Sequence, residues 1–106
     1  MMKLICSIFV ATTMLGFGLQ ANADDAGKAL AQKSGCLACH SVDTKVVGPA
    51  FKDVAAKYKG KGAEAKLVEK VKKGGSGVWG PIPMPANSPQ VKDDDIKTLV
   101  SWVLTL

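Results

Sequence analysis

The residues best equipped for chemistry in this chain are contiguous: Cys36-Leu37-Ala38-Cys39-His40. Two thiols three positions apart on a tight turn can each add to one of the two vinyl groups along a single porphyrin edge. The neighbouring imidazole is then placed to put a ring nitrogen on the iron. This C-x-x-C-H pattern is the attachment signature of c-type haem. Other uses of a C-x-x-C pair ask for more than the chain offers. A thioredoxin-like redox pair needs a βαβ context, and no parallel-strand pattern is present. A structural zinc site needs four Cys or His ligands, and beyond the motif residues 24–106 hold no further Cys or His.

A second centre lies in the segment from Gly74 to Pro89, which carries four prolines and four glycines together with Trp79 and Ile82-Pro83-Met84-Pro85. An irregular loop of this length in a small domain is usually functional. Prolines on both sides of Met84 stiffen the backbone around that side chain. Met84 is the only methionine after residue 23 and His40 the only histidine. If the iron has six ligands and the sixth is a neutral soft donor, Met84 is the sole candidate, and thioether sulfur raises the potential relative to a second imidazole. A lone methionine can also simply fill a gap in a core.

Four helices would position these groups, and no strand is evident. The first is expected over about 26–34, with Asp24 or Asp25 as N-cap and Gly35 as the stop. The second opens with Pro49 in its first turn and buries Phe51, Val54, Ala55 and Tyr58, spaced i, i+3, i+4, i+7. The third spans about 63–73, with Leu67, Val68 and Val71 inward and Gly74-Gly75 ending it. The last starts near Asp93, where Asp93-Asp94-Asp95 complements the helix dipole, and turns Ile96, Leu99, Val100, Trp102 and Val103 inward.

Residues 1–23 read as a cleaved secretory signal peptide: Lys3, an apolar run from Leu4 to Leu19, then Ala21-Asn22-Ala23 as the cleavage site. The run is short for a transmembrane helix, so no membrane anchor is expected. Removal of the leader takes Cys6 with it and leaves two cysteines, both in the haem motif. Residues 24–106 then form one domain of 83 residues, a size at which an apolar core is marginal and a covalently held haem acts as a staple. That domain carries 13 lysines, no arginine and 9 carboxylates, a charge of +4. Seven of the lysines and two glutamates lie between Lys57 and Lys73. This balance suits an acidic protein partner; no basic stripe with interleaved aromatics points to nucleic acid.

Taken in order, the Cys36–His40 motif, Gly48-Pro49 ahead of a helix, and Val78-Trp79-Gly80-Pro81-Ile82-Pro83-Met84-Pro85-Ala86-Asn87 resemble small bacterial class I cytochromes c of the cytochrome c-551 type. The resemblance implies an all-α class I cytochrome c fold of about four helices around one haem c, with the first and last helices crossing. It implies that the Pro49 carbonyl accepts a bond from His40 Nδ1–H, which would orient the ring. By the same resemblance Trp79 donates its indole N–H to a haem propionate, although an indole can equally fill a core. Asn87 would donate to the methionine sulfur, although asparagine is also an ordinary turn residue. Two positions depart from the pattern. Lys70 stands where relatives often carry an arginine, and Ala31 where some bury an aromatic.

The function implied is that of a soluble periplasmic carrier cycling Fe(III)/Fe(II), not an enzyme, since two filled axial positions leave no site for oxygen or peroxide. An exported carrier without an anchor would be lost from a single-membrane cell, which favours the periplasm. A monomer is expected, taking electrons from a donor such as a cytochrome bc1-type complex. Its acceptor would be a nitrite reductase, an oxidase or a peroxidase, with denitrification among the respiratory roles open to it. The rival readings are a haem subunit of a larger reductase and a gas- or peroxide-reactive haem protein with a labile Met84 ligand. With so few large apolar side chains, the haem-free Cys36→Ala/Cys39→Ala protein should be largely unfolded by circular dichroism. Native-like helicity in that variant would show that the polypeptide alone carries the fold.

Overall fold

The computed structural model describes residues 23–106, so the leader expected over 1–23 lies outside them except for Ala23. Four helices follow one another: α1 (Ala23–Lys33), α2 (Phe51–Tyr58), α3 (Glu64–Lys73) and α4 (Asp93–Val103), with one 3-10 turn over Cys36–Ala38 after α1. No strand forms among the described residues, where the only β pairing is an isolated antiparallel bridge between Gly75 and Met84. The fold is all-α, as expected.

The last helix is the hub, packing against α1, α2 and α3. Its apolar stripe reads directly from the sequence: Ile96, Leu99, Val100, Trp102 and Val103 are all buried. The three aspartates occupy its first turn, where the helix dipole favours negative charge. Two starts differ from expectation. Asp24 and Asp25 lie inside α1 and so do not cap it. In α2 the first helical bonds, from Asp53 and Val54, run to the Ala50 carbonyl, so Pro49 precedes the helix and its own carbonyl stays free. The inward face of α3 is only half-buried at Leu67, Val68 and Val71, and Tyr58 of α2 is likewise half-buried.

The crossing of α1 and α4 depends on one missing side chain. A Cβ on Gly27 would run into the indole carbons of Trp102, and Ala31, one turn further on the same face, is fully buried in the same cluster as Trp102. The bulk at this crossing is supplied from α4, by Trp102. The resulting core is small: among the described residues Ile96 is the only large side chain that is completely buried. Gly27→Ala should therefore destabilise the protein by about 1–3 kcal/mol, because the overlap with Trp102 outweighs the gain in helix propensity. Guanidinium denaturation would measure it. An unchanged or raised midpoint would mean that the helices separate without cost.

Candidate functional site

The motif is presented by the 3-10 turn that follows α1. The N–H groups of Cys39 and His40 both donate to the Cys36 carbonyl, at 3.2 and 3.0 Å, which winds the five residues tightly enough to put both thiols and the imidazole on one rim. Cys36 and Cys39 are half-buried free thiols. Burial pushes the Cys36 thiol up from its ordinary value, against the smaller lowering effect of a backbone hydrogen bond. Among the described residues no three His, Cys, Asp or Glu side chains gather as a metal ion would need. The zinc reading therefore gains no support.

The imidazole of His40 is held from three directions. Its Nδ1 lies 2.7 Å from the Pro49 carbonyl oxygen. As that oxygen can only accept, Nδ1 carries the proton, and Nε2 is left as the nitrogen with a free lone pair. The Phe51 ring stacks on it at 4.9 Å between centroids and 20° between planes. On another side the ring lies against Gly48, where a Cβ would come within 2.5 Å of Cε1 and 2.9 Å of Nδ1.

Cys36, Cys39, His40 and Pro49 share one cleft with Val54 of α2, Leu67, Lys70 and Val71 of α3, Leu99, Val100 and Val103 of α4, and the 75–85 loop with Trp79 and Met84. Its empty volume is about 1130 Å³ with the open mouth included. Met84 is anchored through its backbone: its N–H donates to the Gly75 carbonyl at 2.8 Å, and Gly75 N–H returns a bond to its carbonyl at 3.0 Å. Trp79 lines the mouth and is 43% exposed, so it is not core filling. Val47, Val78 and Ile82 are exposed along the same rim.

Asn87 departs from its expected role. Its side-chain Nδ2 donates to the Val71 and Pro85 carbonyls, at 3.1 and 3.3 Å, and not to the Met84 sulfur. The physical reason is the end of α3, whose last carbonyls lack helical partners. Asn87 N–H also donates to Val71, at 3.1 Å, and Ser88 N–H to Lys72, at 3.3 Å. Asn87 thereby latches the loop to α3. Sequence reasoning also passed over Phe51 as a site residue, treating it as core. Its place two residues after Pro49, at the head of a helix whose N-terminus faces the histidine, was the available signal.

Across residues 25–106 the chain matches the cytochrome c family. The chain belongs to that family. It is 51% identical to cytochrome c-551 of Pseudomonas aeruginosa over 102 residues, covering 95% of this chain and 93% of that one. It is 54% identical to cytochrome c-552 of Nitrosomonas europaea over 100 residues, covering 92% and 91%. The crystal structure of wild-type Nitrosomonas europaea cytochrome c552 superposes with a TM-score of 0.70 at 56% identity, covering 74% of this chain and 98% of that chain. Like its family, the chain carries one covalently attached haem c and serves electron transport with protein partners. The cleft fits that group, since two thiols, an oriented imidazole and a deep apolar lining converge on it.

Gly48→Ala should displace the imidazole, lower the denaturation midpoint by the equivalent of about 1–3 kcal/mol and alter the haem absorption spectrum. A variant with parent-like stability and spectrum would show that the ring has room to move.

Proposed function

We propose that this cytochrome is a soluble, monomeric periplasmic electron carrier with His/Met axial ligation. In this reading Cys36 and Cys39 hold the haem through thioether bonds, His40 Nε2 supplies one axial ligand and Met84 the other. The observation that carries it is a single cleft combining both thiols, an imidazole whose Nδ1 is already committed to Pro49, and Met84 as the one methionine in its lining. The bound haem supplies a one-electron Fe(III)/Fe(II) couple. The Pro49 carbonyl fixes the tautomer and orientation of His40 and increases its basicity. The thioether, a soft donor, favours the ferrous state. Trp79, at the mouth of the cleft, would donate its indole N–H to a propionate.

The export signal over 1–23 is part of the same proposal, resting on Lys3, the apolar run and Ala21-Asn22-Ala23. No described helix is long and apolar enough to cross a membrane. One electron enters from a donor such as a cytochrome bc1-type complex and leaves to an acceptor such as a nitrite reductase, an oxidase or a peroxidase. With His40 and Met84 both holding the iron, the haem would exchange electrons with protein partners and leave no place for a substrate at the metal. The exposed rim of Val47, Val78, Trp79 and Ile82 suits a brief, mostly apolar contact at that edge, with the lysine excess steering approach.

Met84→Ala should convert low-spin iron to high-spin, lower the midpoint potential and admit exogenous ligands such as carbon monoxide. Absorption spectra in both redox states and a potentiometric titration read all three. Retention of a low-spin spectrum at an unchanged potential would reduce Met84 to packing and remove the basis for His/Met ligation.

A further inference from the structure

The loop that carries Met84 has few ties to the helices around it. Its tip is a turn closed by Gly77 N–H donating to the Gly80 carbonyl at 2.8 Å, with Trp79 between them and the Gly75–Met84 bridge at its base. Among the described residues no side-chain hydrogen bond or ion pair reaches residues 75–83. One side chain does reach the tip from a helix. Lys57, in the last turn of α2, places its ammonium nitrogen 5.2 Å from the centroid of the Trp79 ring, and 5.8 Å from that of Tyr58. Val54, one turn earlier on α2, lines the cleft, so the same flank of the helix runs from the cleft wall to the loop tip.

An ammonium over an indole face is attracted by the negative face of the ring, and tryptophan is the strongest such partner. We propose that Lys57 is a positioning residue, whose cation–π contact with Trp79 fastens the Met84 loop to α2. Its consequence for function rests on the reading of Met84 as the sixth ligand, since the fastened loop is the one that presents that sulfur. The contact itself does not depend on what Met84 binds. A lysine in this place serves the tip in a way a hydrogen bond could not. The ring centroid accepts the cation over a range of positions, while the backbone of the turn keeps its own bonds.

The test uses the haem-loaded ferrous protein and amide hydrogen exchange measured by NMR at Gly75, Gly77 and Met84, the donors that hold the loop. Lys57→Gln should speed exchange at these three amides by about two- to five-fold, the range expected for a contact at an exposed site. Lys57→Met keeps much of the apolar stem and removes the charge, and it should speed exchange equally. Lys57→Arg keeps the cation and should exchange like the parent. Leu99 and Val100 in α4 should be unaffected in all three variants. Unchanged exchange in the glutamine variant, recovery with methionine, failure of arginine to recover it, or a matching rise in α4 would each overturn the proposal. The spectrum of Met84→Ala decides the ligation reading separately, so failure of one does not pass for failure of the other.

Discussion

The hydrogen bond from His40 Nδ1–H to the Pro49 carbonyl joins the reactive motif to the rest of the fold. It exists because α2 begins at Phe51 and takes Ala50 as the acceptor for its first bonds, which leaves the preceding carbonyl without a helical duty. From there the contacts run inward. Phe51 stacks on the imidazole and meets Trp102 edge-on, at 5.5 Å and 77°, and Trp102 lies in the space that Gly27 leaves open on α1. One imidazole orientation is thus coupled through two aromatic rings to the crossing of the first and last helices. A domain with so little fully buried bulk has few other ways to register its helices against its motif. A haem held in the cleft lined by residues of α2, α3 and α4 would supply the apolar volume that the side chains do not.

Features with a strong local signal were legible in the sequence. The stripe on α4 repeats at helical spacing behind three aspartates, so its start and buried face followed from periodicity and dipole. The haem motif and the Pro-Met-Pro loop were equally plain. What escaped was the identity of hydrogen-bond partners, which depends on chain segments meeting in space. The bond from His40 to the Pro49 carbonyl is the exception, since the family resemblance implied it; what local signals missed is the offset of one residue that keeps this carbonyl out of α2. Asn87 has the right chemistry for a sulfur, yet the open carbonyls of α3 reach its amide first. The start of α3 shows the usual imprecision of boundaries where a capping side chain is absent.

The lysines illustrate the same limit from the side of charge. Counting them gives an excess between Lys57 and Lys73, but not what each one touches. Lys59 reaches the carbonyls of Thr105 and Leu106, just beyond α4, at 3.4 and 3.3 Å. A cation there suits the negative end of the helix dipole. Lys72 joins α3 to Asp93 at 3.2 Å. Lys73 pairs with Glu69 at 3.0 Å and holds that carboxyl below its ordinary range. Lys70 turns to the cleft, its Nζ beside Gly75. Exposed pairs of this kind contribute little individually, typically about 0–1 kcal/mol. The contacts of Lys59 and Lys72 also join segments far apart in sequence.

This division of labour explains how one set of lysines can serve stability and encounter together. An ion pair cancels local charge but leaves the net charge of the domain positive, and the net charge governs approach at distances near the screening length. In the proposed reading the contact itself would be made along the apolar rim of Val47, Val78, Trp79 and Ile82. Four side chains form too small a patch to hold a partner for long, since stable interfaces bury about 1,200–2,000 Å² in total. Approach driven by diffuse charge and contact limited to a small apolar rim give rapid arrival and rapid release, the two rates a mobile electron carrier must keep high at once.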